Sequence, residues 1–193
     1  IGGDYVYNSN NANYCYEAGS VENGKYVQNV ANGTADSYDY TNWGAKSELM
    51  YEDISCGFEC NGLKFCFDCA TACRDLEYCM SCHSSADLFG CVGLKKKQYC
   101  IFNKQYSKEE YEKLRAQIVG QMDTMPYKDK LGRIYKYGEF FPPEISQLAY
   151  NESAAIDYYP LTKDEAIKNG FIWRDVNPRE YKTTIIAADL PDH

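Results

Sequence analysis

The stretch from Cys56 to Cys100 constrains the fold most, because it holds nine of the ten cysteines of the chain in a repeated pattern. Four of these cysteines stand at the centre of a triplet in which an aromatic residue or glycine comes first and an apolar residue comes last. The triplets are Phe65-Cys66-Phe67, Tyr78-Cys79-Met80, Gly90-Cys91-Val92 and Tyr99-Cys100-Ile101. Self-similarity at a short period is typical of proteins whose repeats stack on one another.

The spacing of the cysteines predicts the length of the repeating coil. Cys56, Cys79 and Cys100 follow one another at nearly equal intervals. The sequence around Cys66 alternates as a strand does and shows no helical stripe. We therefore predict a mainly β protein, a parallel β-solenoid with about 22 residues and two short strands per coil.

Stacked strands lie about 4.8 Å apart, so equivalent residues of successive coils would form ladders. A coil of the predicted length places Cys56, Cys79 and Cys100 in one ladder and Trp43, Cys66 and Cys91 in a second. The chain also has a leucine three residues before three of the cysteines, namely Leu63, Leu76 and Leu88. We predict that these leucines face inward at equivalent corners.

The sequence changes character after Asn103. Ser107 and Glu110 form a capping box, and apolar residues follow at helical spacing, which predicts an amphipathic helix over residues 108–122. An open coil end exposes a strand edge, so we expect this helix to form a C-terminal cap over the last coil. Thr162 and Glu165 form a second capping box before a short helix at 163–168. The predicted domains are a Cys/Tyr-rich solenoid (1–103) and a helical and aromatic-loop extension packing on it (104–193).

The composition limits the classes of partner that we expect this chain to bind. The 28 acidic and 20 basic residues give a net charge of −8, which argues against direct binding of nucleic acid by this segment. No apolar run approaches the roughly 18 residues of a membrane helix. The 19 tyrosines fit stacked strands, where the ring packs and the hydroxyl reaches a polar partner. We predict a protein partner, or the rest of a longer chain, and a cytoplasmic location that keeps thiols reduced.

The cysteines admit four interpretations. We prefer a ladder of free thiols (Cys56, Cys79, Cys100), because cysteine is a small and readily buried apolar residue. The second is a zinc site formed by Cys66, Cys69, Cys79 and Cys82, although the nine-residue spacer between the two pairs is shorter than usual. The third is a set of disulfides such as Cys56–Cys79, which would need an oxidising compartment.

The fourth interpretation is covalent haem, since Cys79, Cys82 and His83 match the C-x-x-C-H pattern. The repeat already accounts for the two cysteines of that pattern, so we expect no resident cofactor.

No pattern in the chain marks an enzyme. With two histidines, the sequence offers few candidates for the base of a histidine-based catalytic triad. It also contains no glycine-rich phosphate-binding loop. An acidic group (Asp36, Asp39, Glu52 and Asp53) could line a face as in sugar-cleaving β-helices, but acidic turns are common. We predict no catalytic residues. Our hypothesis is a non-catalytic scaffold that presents an aromatic surface, and the alternative is a metal-binding or redox thiol module using the C-x-x-C pairs.

Several long strings of the sequence resemble one family. They run from Leu76 to Cys79 and from Phe89 to Tyr111, and continue in Gly138–Pro142, Ala149–Glu152, Pro160–Lys163 and Arg179–Tyr181. The chain is similar here to a family of uncharacterised, large, cysteine- and tyrosine-rich repeat proteins of uncultivated small-genome bacteria. In that family this block sits between zinc-ribbon-like C-x-x-C modules, which this chain lacks. The resemblance, over roughly residues 13–185, implies a middle segment of a longer protein and implies no activity.

Overall fold

The computed structural model describes residues 3, 6–11, 13–15, 19, 25, 34, 35, 37–41 and 46–175. The chain divides into two compact units, residues 1–141 and 142–193. The predicted boundary after residue 103 falls within the first of these units. Among the described residues, no helix is long and apolar enough to cross a membrane.

Within the described residues, the first unit contains ten short strands and one long helix. The strands are β1 (Thr34–Ala35), β2 (Tyr38–Thr41), β3 (Ser47–Glu48), β4 (Tyr51–Ile54), β5 (Arg74–Glu77), β6 (Ala86–Phe89), β7 (Gln98–Ile101), β8 (Lys104–Gln105), β9 (Tyr127–Lys128) and β10 (Ile134–Tyr135). Helix α1 spans Lys108–Thr124. A four-stranded sheet has the order β5-β6-β7-β8, and the remaining strands form three two-stranded sheets.

Parallel pairing repeats at an almost constant interval along the chain. Glu48 pairs with Asn61, and Asn61 pairs with Arg74. Arg74 then pairs with Ala86, and Ala86 with Gln98, so the interval shortens by one position after Arg74. Residues 46–103 therefore follow one another as short turns joined by parallel bridges, and we call this segment the stacked turns.

The predicted fold class, a parallel β-solenoid with two short strands per coil, is wrong. The strands are four residues long or shorter and belong to small separate sheets, two of which contain antiparallel pairs (β7–β8 and β9–β10). The interval between paired positions is also only about half of the predicted coil length. The physical reason lies in the backbone, which bends too often for longer strands to form.

The bends recur at about every third residue of the stacked turns, with two adjacent bent residues at 58–59, 71–72 and 102–103. Asp75, Tyr78 and Ser81, for example, have φ angles of 52°, 53° and 50°. Such left-handed backbone is costly for residues other than glycine, by about 1–2 kcal/mol each, so the hydrogen bonds between turns must hold it in place. Gly90 has the same conformation (φ +60°), and a Cβ there would meet the Phe102 ring at 2.5 Å.

The residue after most of these bends faces the interior, which gives four rows of inward side chains running across the turns. Lys97, which follows the bend at Lys96, is exposed, so row 1 ends one turn earlier. Row 1 contains Ser47, Cys60, Cys73 and Ser85; row 2 contains Met50, Leu63, Leu76, Leu88 and Cys100; row 3 contains Asp53, Cys66, Cys79 and Cys91; row 4 contains Cys56, Cys69, Cys82 and Leu94. The prediction for Leu63, Leu76 and Leu88 is confirmed, since the three share row 2 and are fully buried.

Helix α1 confirms the predicted capping box. The Ser107 hydroxyl accepts the backbone N–H of Glu110, and the Glu110 carboxylate accepts the N–H of Ser107. Tyr111 packs with Ile101, and Leu114 and Ile118 lie beside them. The same cluster includes Phe65, Tyr78 and Phe89 from earlier turns, so the helix lies along a side of the stacked turns and does not close their end.

The second unit is built from short helical segments. It contains 3-10 turns at Pro143–Ile145 and Tyr150–Glu152, helix α2 (Ala155–Tyr158) and helix α3 (Lys163–Lys168). Helix α3 has the predicted bounds, and Thr162 and Glu165 form its capping box. Tyr150 is buried against Phe171, with ring centroids 4.8 Å apart.

Candidate functional site

The sulfur-lined interior of the stacked turns is the first candidate site. All ten cysteines of the chain are free and buried, and nine of them lie in this interior or at its last turn. Leucines and Met50 fill the remaining space, and the ten cysteines belong to one core cluster with them. The interior is therefore a closed layer of small and medium side chains.

Each thiol of the stacked turns donates its hydrogen to a backbone carbonyl. Cys66 Sγ lies 3.3 Å from the carbonyl oxygen of Lys64, and Cys79 Sγ lies 3.3 Å from that of Glu77. Cys73 Sγ lies 3.2 Å from the carbonyl oxygen of Ala70. These contacts need the protonated thiol, because a thiolate has no hydrogen to donate.

Inward side chains also accept backbone N–H groups from the equivalent position of the next turn. The N–H of Cys69 donates to Cys56 Sγ (3.3 Å), and that of Asn103 donates to Cys91 Sγ (3.4 Å). At Ser47 the hydroxyl takes the same role for the N–H of Cys60 (3.4 Å). A buried N–H without an acceptor is costly. Cysteine meets the requirement because it is small enough for the narrow interior and its sulfur is a weak acceptor.

Asp53 is a carboxyl group placed in row 3 of this interior. Its carboxyl oxygens accept the N–H of Cys66 at 2.7 Å and the N–H of Tyr51 at 3.1 Å. The side chain has no exposed surface, and burial raises the pKa of Asp53 well above its usual value. Of the predicted acidic group, Glu52 is half-buried, and Asp36 and the Asp39 side chain lie outside the described part of the chain. The buried Asp53 cannot line an open catalytic face.

Burial and neighbouring thiols push the pKa values of the cysteines in different directions. Burial raises the pKa of Cys66 and of Cys79 well above the usual thiol value. Hydrogen bonds from the thiols of Cys56, Cys66 and Cys82 lower the pKa of Cys69. The Cys69 sulfur nevertheless lies 3.6 Å from the carbonyl oxygen of Phe67, a contact that its protonated thiol makes. That sulfur has no exposed surface, so a dissolved reagent does not reach it in the folded chain.

The four cysteines predicted as zinc ligands are brought together. Cys66 and Cys79 are neighbours in row 3, and Cys69 and Cys82 are neighbours in row 4. The thiols of Cys66 and Cys69, and those of Cys79 and Cys82, are close enough across the two rows to shift one another's pKa. Even so, no group of three or more His, Cys, Asp or Glu side chains in the described residues is arranged to hold a metal ion.

The other predicted groupings are dispersed. Cys56, Cys79 and Cys100 lie in rows 4, 3 and 2. They do not align because the parallel bridges join residues that are only about half of the predicted coil length apart. Cys66 and Cys91 do share row 3, whereas Trp43 lies outside the described residues. The C-x-x-C-H residues diverge as well. Cys79 and Cys82 face inward, and His83 lies on the outer side, where it pairs with Ala70 and Lys95.

The second candidate site is a row of exposed apolar residues that the sequence analysis missed. Ile54 pairs with Phe67, Phe67 with Met80, and Met80 with Val92, all in parallel register. Phe67 is 43% exposed and Val92 is 48% exposed, and the other two are half-buried. We call these four residues the apolar stripe. Their signal was the apolar last residue of three cysteine triplets (Phe67, Met80 and Val92), each of which follows an inward cysteine of row 3. Ile101, the last residue of the fourth triplet, follows Cys100 of row 2 and is buried instead.

An adjacent side of the stacked turns is covered. Phe65, Tyr78, Phe89 and Ile101 lie there beneath α1 and the segment around Tyr137, and we call this the helix-covered side. The Tyr78 hydroxyl accepts the N–H of Gly138 and donates to the carbonyl of Glu139, each at 3.1 Å. Arg115 from α1 holds Glu77 through both carboxylate oxygens, at 2.6 and 2.9 Å from Nη2.

Comparison with known proteins does not assign a function to the chain, so we infer one from the geometry of the described residues. No protein-family model matches the chain, and neither the search of curated proteins nor the search of solved structures gave a significant match.

Proposed function

We propose that the chain is a non-catalytic binding module that presents the apolar stripe to a protein partner. The observation that carries the proposal is the contrast between the two sides, since the stripe keeps the large apolar residue Phe67 exposed where the helix-covered side buries Phe65 and Tyr78. Contiguous exposed apolar residues commonly mark a protein-binding surface. The net charge of −8 favours a protein over a nucleic acid as the partner.

The cysteines support the non-catalytic part of the proposal. Their thiols are buried and hydrogen bonded to the backbone, which is the environment of structural rather than reactive cysteines. Free thiols in such number also favour a reducing compartment such as the cytoplasm, where disulfides are rare.

Labelling with hydroxyl radicals tests the binding surface. The native cell extract should protect Phe67 and Met80 severalfold relative to the dilute purified chain, because a bound partner excludes the reagent. Met125, which is 73% exposed and lies outside the stripe, is the matched control for Met80 and should label equally in both samples. Equal labelling of Phe67 and Met80 in the extract, in the dilute purified chain and in the purified chain near millimolar concentration would contradict the proposal.

A metal-binding or redox thiol module is the second candidate, and the contact between Cys66, Cys69, Cys79 and Cys82 favours it. Elemental analysis of the purified chain separates the two candidates. One zinc per chain, with unfolding when a chelator removes it, would replace the first proposal by the second. A folded, metal-free chain whose thiols react with a thiol reagent only after unfolding would retain the first.

A further inference from the structure

The apolar stripe has a pattern that can pair with itself. Its four residues occupy successive turns, and the two central ones are Phe67 and Met80. If a second copy is placed face to face with the order of its turns reversed, Phe67 meets Met80 of that copy. Ile54 then meets Val92 of that copy. Each contact occurs twice, as two-fold symmetry requires.

Charges beside the stripe favour the same reversed arrangement. The segment 46–59 at one end carries Lys46 and three glutamates that are not buried (Glu48, Glu52 and Glu59), whereas the segment 92–97 at the other end carries three lysines and no acid. Glu59 and Lys96 occupy equivalent positions of their turns, and both have positive φ. They lie on the side that follows the stripe, as Lys95 does.

A two-fold axis across the stripe brings the acidic end of one copy against the basic end of the other. Lys95 and Lys96 then face Glu59 of the second copy. In the isolated chain Glu59 lies 3.7 Å from Lys46, and both side chains are mostly exposed. An exposed pair of this kind contributes little, so Glu59 remains available to the lysines of another chain.

From these observations we propose that the partner of the apolar stripe is a second copy of this chain, bound in an antiparallel two-fold arrangement. This inference rests on the proposed function, because it names the occupant of the same surface. Four apolar residues form a contact smaller than that of a stable dimer. The dimer is therefore weak, and because charged ends face each other it weakens further as salt rises.

Sedimentation of the full chain from low micromolar to near-millimolar concentration measures this association. We expect a monomer–dimer equilibrium at low salt, with at least about tenfold weaker association for Phe67→Lys, which buries a charge in the contact. Leu131→Lys is the matched control, since Leu131 is similarly exposed but lies between β9 and β10. A monomer at every concentration, or a dimer that tolerates Phe67→Lys, would overturn the inference.

Charge exchange tests the antiparallel geometry. Glu59→Lys alone, and Lys95→Glu with Lys96→Glu, should each weaken self-association, because each places like charges opposite one another. Mixing these two variants should form a heterodimer, since both of its charge contacts then have opposite signs. Failure of the mixture to associate would overturn the arrangement.

The two proposals fail in different ways. If the chain is monomeric but the native extract protects Phe67 and Met80, the stripe binds another protein and only the second-copy inference is lost. If neither experiment covers the stripe, the binding function itself is lost.

Discussion

Two adjacent sides of the stacked turns carry apolar residues on successive turns, but only one of them is covered. On the helix-covered side, Phe65 and Tyr78 stack with ring centroids 4.6 Å apart beneath α1. On the other side, Phe67 and Val92 stay about half exposed. Because both sides share the same backbone and interior, the difference lies in what covers them. The backbone stacking therefore depends on the interior and on the covered side, and the stripe is available for binding.

The largest loss of stability should come from the interior that both sides share. Leu76→Ala should lower the free energy of unfolding by roughly 2–5 kcal/mol, because Leu76 is fully buried in row 2 and its removal leaves a cavity. Chemical denaturation monitored by circular dichroism measures this change. A loss below about 0.5 kcal/mol would show that row 2 is not the core of the stacked turns.

A smaller loss should follow from the helix-covered side. Arg115→Ala should cost about 1–3 kcal/mol, because it leaves the nearly buried carboxylate of Glu77 without its two-oxygen partner. Lys113→Ala on the exposed surface of the same helix is the control and should change stability by less than about 0.5 kcal/mol. Equal effects of the two substitutions would mean that the ion pair does not hold α1 in place.

Asp53 should make the interior sensitive to pH. Its pKa is raised in the folded chain by burial, so the protonated form favours folding. This contribution is complete below the unfolded pKa of about 4 and is lost as pH rises through the folded pKa. Denaturation between about pH 4 and pH 7 should show a downward slope that Asp53→Asn removes. An unchanged slope in the variant would assign the pH dependence to other groups.

The smallest effect should come from the uncovered side. Phe67→Ser should change the free energy of unfolding of the dilute chain by no more than about 0.5 kcal/mol, because Phe67 is 43% exposed and lies outside the two buried clusters. Denaturation at a concentration well below the association range measures it. A loss as large as that of Leu76→Ala would make the stripe part of the fold rather than a binding surface.

Local signals in the sequence predict local structure well. Ser107 with Glu110, and Thr162 with Glu165, mark the starts of α1 and α3, because a capping box depends only on residues three apart. The leucines before three of the cysteines likewise predict an inward row, since burial of a branched apolar side chain is favourable in any register. No local signal fixes the register, and so the predicted ladder of Cys56, Cys79 and Cys100 does not form.

The sequence by itself determined the two capped helices, the inward leucines and a thiol-rich repeat. Only the tertiary structure decided the length of the stacked turns, the four rows, and which apolar side is covered. The reason is that left-handed bends at residues such as Tyr78 and Asp75 oppose their intrinsic preferences, and hydrogen bonds from neighbouring turns maintain them. Those bonds join residues far apart in the chain, so the spacing of Cys66, Cys69, Cys79 and Cys82 alone could not distinguish a zinc motif from two neighbouring rows of buried thiols.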